Sequence, residues 1–381
     1  MSNLVIEMKK IKLILPILIL LLTGCDKDEA DFIDSLPACN STSIFTNLPI
    51  QEDNILRFIP LGNYNPPGHT FPTSHHYFDI EKGKGNIPVY APFDGWIVYV
   101  SEYGSDMASI TEYALEMVPC KEVKVKYGHI SQLHQDIASL LGNPQETDSY
   151  TTGGVTYTSN IYKTEIAVSA GQQIGEVFDI PETTGIDFGM IDTRESLPFI
   201  NPSRFNNSGL VNAVSFLDYS TQNIKDILYQ KIQFDNGGYP LRTTPPLAGE
   251  ICYDVAGTVQ GLWFNPGEPT TPEDPHLSLI KNNFIPEKNV FSVGTSINSL
   301  LPTAYEFLPM ETGTHNRSFD QITDDQIYSF SGFTNIWGEP NATGFVILIQ
   351  LVDDETLRIE KQTEGDGPPW NFTNNFTEFE R

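Results

Sequence analysis

Three of the chain's seven histidines and one aspartate fall within residues 68–79, as His69, His75, His76 and Asp79. In an extended strand successive side chains alternate, so His75, Tyr77 and Asp79 share one face. An imidazole beside a carboxylate suits a divalent metal or proton transfer. Two later segments bear on that chemistry. Tyr127-Gly128-His129 adds an imidazole, and Thr184-Gly185-Ile186-Asp187-Phe188-Gly189 adds a carboxylate on the strand face it shares with Gly189. The structural alternative is that His75 and His76 are hydrogen-bonding residues of a Pro-rich loop, His129 is bonded to backbone at a strand end, and Asp187 is a turn acid. His69 and His134 read as structural, and Phe188 and Met190 as buried strand residues. A nucleophilic hydrolase is excluded, because there is no Gly-x-Ser-x-Gly elbow and no cysteine near these histidines.

The elements that must position these residues read as mainly β. Residues 87–91 and 96–100 are two strands joined by Pro92-Phe93-Asp94-Gly95, and residues 122–130 alternate apolar and polar as a strand buried on one face. Ser131 should cap a short helix carrying Leu133, Ile137, Leu140 and Leu141, with Gly142 as its stop. After a polar insertion at 143–160, a strand at 163–168, a tight hairpin at 170–177 and a strand at 184–192 follow. Residues 218–233 place Ile224, Ile227, Leu228 and Ile232 at helical spacing, and Asn236-Gly237-Gly238 ends that helix. From residue 245 the pattern is all β, with strands at 251–255, 261–264, 276–281, 290–293, 327–330, 344–352 and 356–361. Residues 266–272, with three prolines, must be a loop. This second domain is a sandwich or a barrel.

The order of motifs in the first domain resembles the lysostaphin-like, LytM-type zinc metallopeptidase family, a duplicated-hybrid-motif β fold that cleaves peptide cross-bridges of bacterial cell walls. The segments that carry the resemblance are His75 to Asp79, Pro88 to Gly95, Tyr127-Gly128-His129, Ser169 to Gly175, and Thr184 to Gly189. The resemblance implies metal ligands at His75, Asp79 and Gly189, of which glycine has no side chain to offer. It implies catalytic roles at His129 and at Asp187, which stands where the family has histidine. A catalytic zinc normally has three protein ligands and an open position, so an incomplete set should lower affinity unless Asp187 or His76 substitutes. The expectation is a domain that holds no cofactor and binds through its cleft, with zinc held only in the enzymatic alternative. His76, Tyr77 and Tyr127 are expected in the binding groove, with Tyr64, Phe71 and Tyr103 as further aromatic lining. In the second domain, Gly261-Leu262-Trp263 and Arg381 resemble the Gly-x-Trp opening and late arginine of lipocalin-like ligand barrels.

At the start of the chain, Lys9, Lys10 and Lys12 precede an apolar run, Leu13 to Leu22, that is too short to span a bilayer. Leu22-Thr23-Gly24-Cys25 resembles a bacterial lipobox, which implies acylation at Cys25 and attachment to a membrane through the lipid. Asp26-Lys27-Asp28-Glu29 resembles an acidic signal for export to the outer cell surface. The expected organisation is a signal peptide at 1–24, a tether at 25–55, the LytM-like domain at 56–215, a helical connector at 216–244 and the second β domain at 245–381. The net charge of −27 repels nucleic acid, which is excluded as a partner. Cys39, Cys120 and Cys252 allow at most one disulfide and form no Cys-x-x-Cys motif. The expected protein is a lipid-anchored lipoprotein of the outer membrane or cell surface that binds peptidoglycan or another envelope glycan or peptide without cleaving it. The alternatives are a zinc endopeptidase acting on peptidoglycan cross-links, and a surface ligand-binding lipoprotein working through its C-terminal domain.

Overall fold

A computed structural model of the chain describes residues 29–381, apart from residues 42, 107–109, 153, 182, 206–208, 234–240 and 335–342. Cys25 with its leader, the Asn236-Gly237-Gly238 stop and Trp337 lie outside the described residues. The protein is mainly β, in antiparallel sheets. Among the described residues the three α-helices, α1 (Glu29–Ser35), α2 (Gln135–Ala138) and α3 (Gln222–Tyr229), are short, and none is long and apolar enough to cross a membrane.

The first half is built from β1 (Ile55–Ile59), β2 (His75–Ile80), β3 (Ile87–Tyr90), β4 (Gly95–Ser105), β5 (Glu112–Cys120), β6 (Val123–Ile130), β7 (Gln132–Leu133), β8 (Glu146–Thr152), β9 (Val155–Val168), β10 (Gln173–Val177) and β11 (Gly185–Asp192). Eight of them form one sheet in the order β1-β2-β11-β6-β5-β4-β9-β8, and β3-β10-β7 form a second. Between the two sheets lies the main core, with Phe78, Val89, Leu115, Tyr127, Ile174 and Phe188 fully buried. Because strand side chains alternate, the other face of the large sheet carries the polar set, and that face is the floor of the cleft described below.

Several local expectations change. Residues 170–177 are not a hairpin, since β9 stays in the large sheet while β10 crosses to pair with β3 and β7. The polar insertion is itself a hairpin, β8 with β9, where Thr147, Ser149 and Thr151 find partners across the ladder. The helix after Ser131 shrinks to α2, because Gln132 and Leu133 are drawn into a strand; His134 is its N-cap, its Nδ1 accepting from the Asp136 amide at 3.4 Å. The expected tether is docked instead. Phe45 and Ile50 are fully buried in the main core, and Cys39 is disulfide-bonded to Cys120 on β5, which leaves Cys252 a free thiol. The connector helix is α3, and its Ile224 and Leu228 pack into the same core.

The second half is a meander of β12 (Gly261–Trp263), β13 (Leu277–Lys281), β14 (Asn289–Val293), β15 (Thr303–Phe307), β16 (Tyr328–Phe330), β17 (Phe345–Asp353), β18 (Thr356–Thr363) and β19 (Thr377–Glu380). Each strand pairs with its neighbour in two four-stranded sheets. Single bridges join the sheets at both edges, Phe264 to Glu380 and Glu306 to Thr334, so the meander closes as a barrel. Its interior is filled by the rings of Phe291, Phe307, Phe319 and Phe330, all at most 2% exposed. Arg381 lies over the Trp263 ring at 4.1 Å and donates to the Gln260 carbonyl, which gives the two resembling positions a shared packing role. Residues 251–255 are not a strand, although Ile251 and Tyr253 are buried; they line the seam between barrel and first half.

That seam is extensive. Tyr64 packs with Tyr253, Ile280, Val290 and Ala304 of the second half, and Phe71 stacks on His276 at 5.1 Å. Both aromatics were expected in the groove, but their loop is held down on the barrel, where the Thr70 carbonyl accepts from Ser278 and Ser292 at 2.8 and 2.7 Å.

Candidate functional site

The ladder registers bring the sequence-derived residues together. Gly189 pairs with His75, Asp187 with Tyr77, and Gly185 with Asp79; on the other side Asp187 pairs with Gly128. Paired residues of an antiparallel ladder point to the same face, so His75, Tyr77, Asp79, Asp187 and Gly189 share one side of the sheet. Parity sends His76 and Tyr127 to the other. His76 is fully buried, stacked on Phe58 and bonded to Ser215 at 3.0 Å, and burial pulls its pKa down to about 3. The Tyr127 ring is buried and its hydroxyl donates to the Tyr90 carbonyl at 3.0 Å. His76 lies outside the groove and cannot replace a lost ligand from there, whereas Tyr127 is among the residues that line the cleft even though its hydroxyl is spent on Tyr90.

The polar face continues across β5, β4 and β9. Tyr99 and Glu116 are paired, as are Ser101 and Ala114, and Tyr103 stands opposite both Glu112 and Ser159. The result is a cleft of about 820 Å³ lined by tyrosines 99, 103 and 157, His69, His129, Asp187 and other residues of this face. Its second wall comes from Pro66-Pro67-Gly68-His69 and from Thr271-Pro272-Glu273 of the second half.

His129 is the centre of the cleft's electrostatics. It ends β6 in a left-handed conformation, φ 62°, which a non-glycine residue holds only where its surroundings over-determine it. Here they do: its amide donates to the Tyr103 hydroxyl at 3.1 Å, its Nδ1 faces Glu112 at 3.0 Å, and its Nε2 faces Asp187 Oδ2 at 3.4 Å. Burial disfavours the charged ring, but the two carboxylates more than offset it and raise the pKa to about 10. Asp187 is likewise penalised by burial yet held down to about 2 by the facing imidazoles, of which protonated His129 is the charged one at neutral pH. His75 lies on the other side, Nε2 at 3.5 Å from the same Asp187 oxygen, and burial lowers its pKa. His69, whose ring centre is 5.7 Å from that of His75, is lowered by burial to about 4.

The residues present do not fit the zinc site that the family resemblance implies. Asp79 is engaged by the Arg57 guanidinium of β1, Gly189 supplies no donor, and His129 and Asp187 occupy one another. Among the described residues, the group of three potential donors whose ligand atoms lie within 4.8 Å of each other is Cys39, Cys120 and Glu122, and its two sulfurs form the disulfide.

Four contributors escaped the sequence reading. Glu112, Arg57 and Glu273 reach the site through strand pairing or across the seam, which no local spacing announces. His69 was assigned a structural role, although it lines the cleft. Tyr103 lines it as expected; Tyr77 does not reach the lining, and its hydroxyl is engaged by Thr73 and Asn63.

No family model and no curated protein matches the chain. Among solved structures, the chain is similar to a zinc containing peptidase from Vibrio cholerae, at 13% identity and a TM-score of 0.21. The likeness covers 38% of this chain and 37% of that one, well under two thirds of the peptidase's length.

Proposed function

We propose that this protein is a lipid-anchored, envelope-facing binding protein whose cleft receives an extended peptide or glycan strand of the cell envelope without cleaving it. The observation that carries the reading is the state of His129. Both of its ring nitrogens face carboxylates, Glu112 and Asp187, so it is a fixed cation with no lone pair for a substrate proton and no free N–H for a developing oxyanion. With Asp79 turned to Arg57, the face offers binding chemistry rather than an activated water. A cleft of about 820 Å³ lined by Tyr99, Tyr103 and Tyr157 suits an extended chain, since aromatic side chains give large contact area at low entropic cost. The ligand class is peptidoglycan or a related envelope polymer; Cys25 would carry the lipid, and nucleic acid is not a partner for a chain of net charge −27. The packed interior of the barrel leaves the second half as a wall of the cleft rather than a separate ligand carrier.

The test is co-sedimentation with purified peptidoglycan, followed by chromatography of the supernatant for released fragments. We expect the protein in the pellet, no fragments, and binding about tenfold weaker for Tyr157→Ala. Protein left in the supernatant, or fragments lost with His75→Ala, would overturn the reading.

A further inference from the structure

The floor of the cleft is a sheet face, and the strands beneath it, β5, β4 and β9, are each hydrogen-bonded on both sides. An extended peptide docks on a sheet by pairing its backbone with a free strand edge, which this face does not have. The facing wall adds Pro66, Pro67 and Pro272, which carry no N–H to offer. A peptide laid here would leave its own N–H and C=O groups without ladder partners, at a cost for each one taken out of water. What the floor offers instead is rings. Tyr99 and Tyr103 stand on one face of β4, about 13 Å apart along the strand, and the paired Ser101 and Ala114 leave a shallow trough between them. Tyr157, opposite Ser105, continues the row on β9. Tyr103 is laid along the sheet, because its hydroxyl accepts from the His129 amide of β6 and β5 lies between β4 and β6. Spanning two strand spacings, about 10 Å, takes a side chain that lies nearly flat, so a ring face is turned to the cleft. The charged groups of the lining are spent on one another, Lys126 on Glu116 at 3.1 Å and His129 on Glu112 and Asp187, which favours a ligand without charge.

We propose that the strand received by the cleft is an uncharged polysaccharide, seated with its sugar rings on Tyr99, Tyr103 and Tyr157. This rests on the binding reading above and narrows it from peptide or glycan to glycan. A pyranose ring carries C–H groups on its faces and hydroxyls on its rim. It therefore covers an aromatic face while its hydroxyls keep water or water-bridged partners. Tyrosines already held by the sheet lose little freedom when a ligand stacks on them. The row of rings is longer than one sugar, so affinity should grow with the length of the saccharide.

The experiment is calorimetric titration of the full chain with a β-linked N-acetylglucosamine hexasaccharide, with the corresponding disaccharide, and with an alanine-rich hexapeptide capped at both ends. We expect the hexasaccharide to bind at least about tenfold more tightly than either of the others. Tyr157→Ala should weaken the hexasaccharide about tenfold, whereas Tyr157→Phe, which keeps the ring, should bind it as the wild type does. A peptide bound as tightly as the hexasaccharide would overturn the glycan assignment and leave the binding reading standing in its peptide form. No loss in Tyr157→Ala, or an equal loss in Tyr157→Phe, would overturn the seating on tyrosine rings. Binding of none of the three would overturn the glycan assignment, and co-sedimentation with peptidoglycan then decides whether the binding reading falls with it.

Discussion

At the scale of single residues the site turns on His129, a histidine caught between two carboxylates and held in a left-handed backbone conformation by the Tyr103 hydroxyl. Its pKa, raised from 6.5 to about 10, makes a directional statement about stability. A group whose folded pKa lies above its unfolded value stabilises fully below the unfolded value, and that contribution fades as pH rises through the folded one. We therefore expect the His129 ring to stay protonated by NMR at pH 7 to 8 and to titrate only near 10, with a lower pKa in Asp187→Asn. A midpoint near 6.5 in the wild type would break the ion-pair description. The sequence made His75, Asp79, His129 and Asp187 legible because each sits in a short motif. It hid Arg57 and Glu112, whose closeness to Asp79 and His129 comes from pairing between separate strands. It misled on His76, where only strand parity separates a core histidine from a cleft histidine one position away.

At the scale of elements, β2, β11 and β6 decide everything, since their register sets His75 against Gly189 and Asp187 against both Tyr77 and Gly128. The glycine at 128 belongs to that geometry, because a Cβ there would stand 3.2 Å from the Asp187 carboxylate. If the register is right, the donors a zinc site lacks can be installed. Asp187→His with Gly189→His should raise zinc affinity, and adding Arg57→Gln, which releases Asp79, should raise it further; competition with a chromogenic chelator measures both steps. No gain from either step would show that these positions do not converge. Strand existence was largely readable from alternation, including β6 and β11. Sheet membership was not, because β3 and β4 follow one another in sequence yet lie in different sheets.

At the scale of the whole molecule, the two halves share one cleft. Glu273, from the second half, lines it and accepts from the Phe71 amide of the first at 2.9 Å. Burial lifts the Glu273 pKa from 4.5 to about 8. An acid with a raised folded pKa makes stability fall as pH rises from the unfolded value to the folded one, with no further change above it. The difference in melting temperature between the wild type and Glu273→Gln should thus shift in favour of the variant between about pH 4.5 and 8. A difference independent of pH would contradict the buried-acid assignment. The sequence showed two β regions but not their union, because Tyr64, Phe71 and Glu273 look like loop residues until the seam between the halves is formed.

The most direct measurement is the zinc content of the full chain after equilibrium dialysis against micromolar zinc at neutral pH, with His75→Ala alongside. With Asp79 held by Arg57, Asp187 by His129, and no side chain at Gly189, we expect far less than one zinc per chain and no difference between the two proteins. One zinc per chain, lost in His75→Ala, would contradict the binding reading and would return the cleft to metal-assisted hydrolysis.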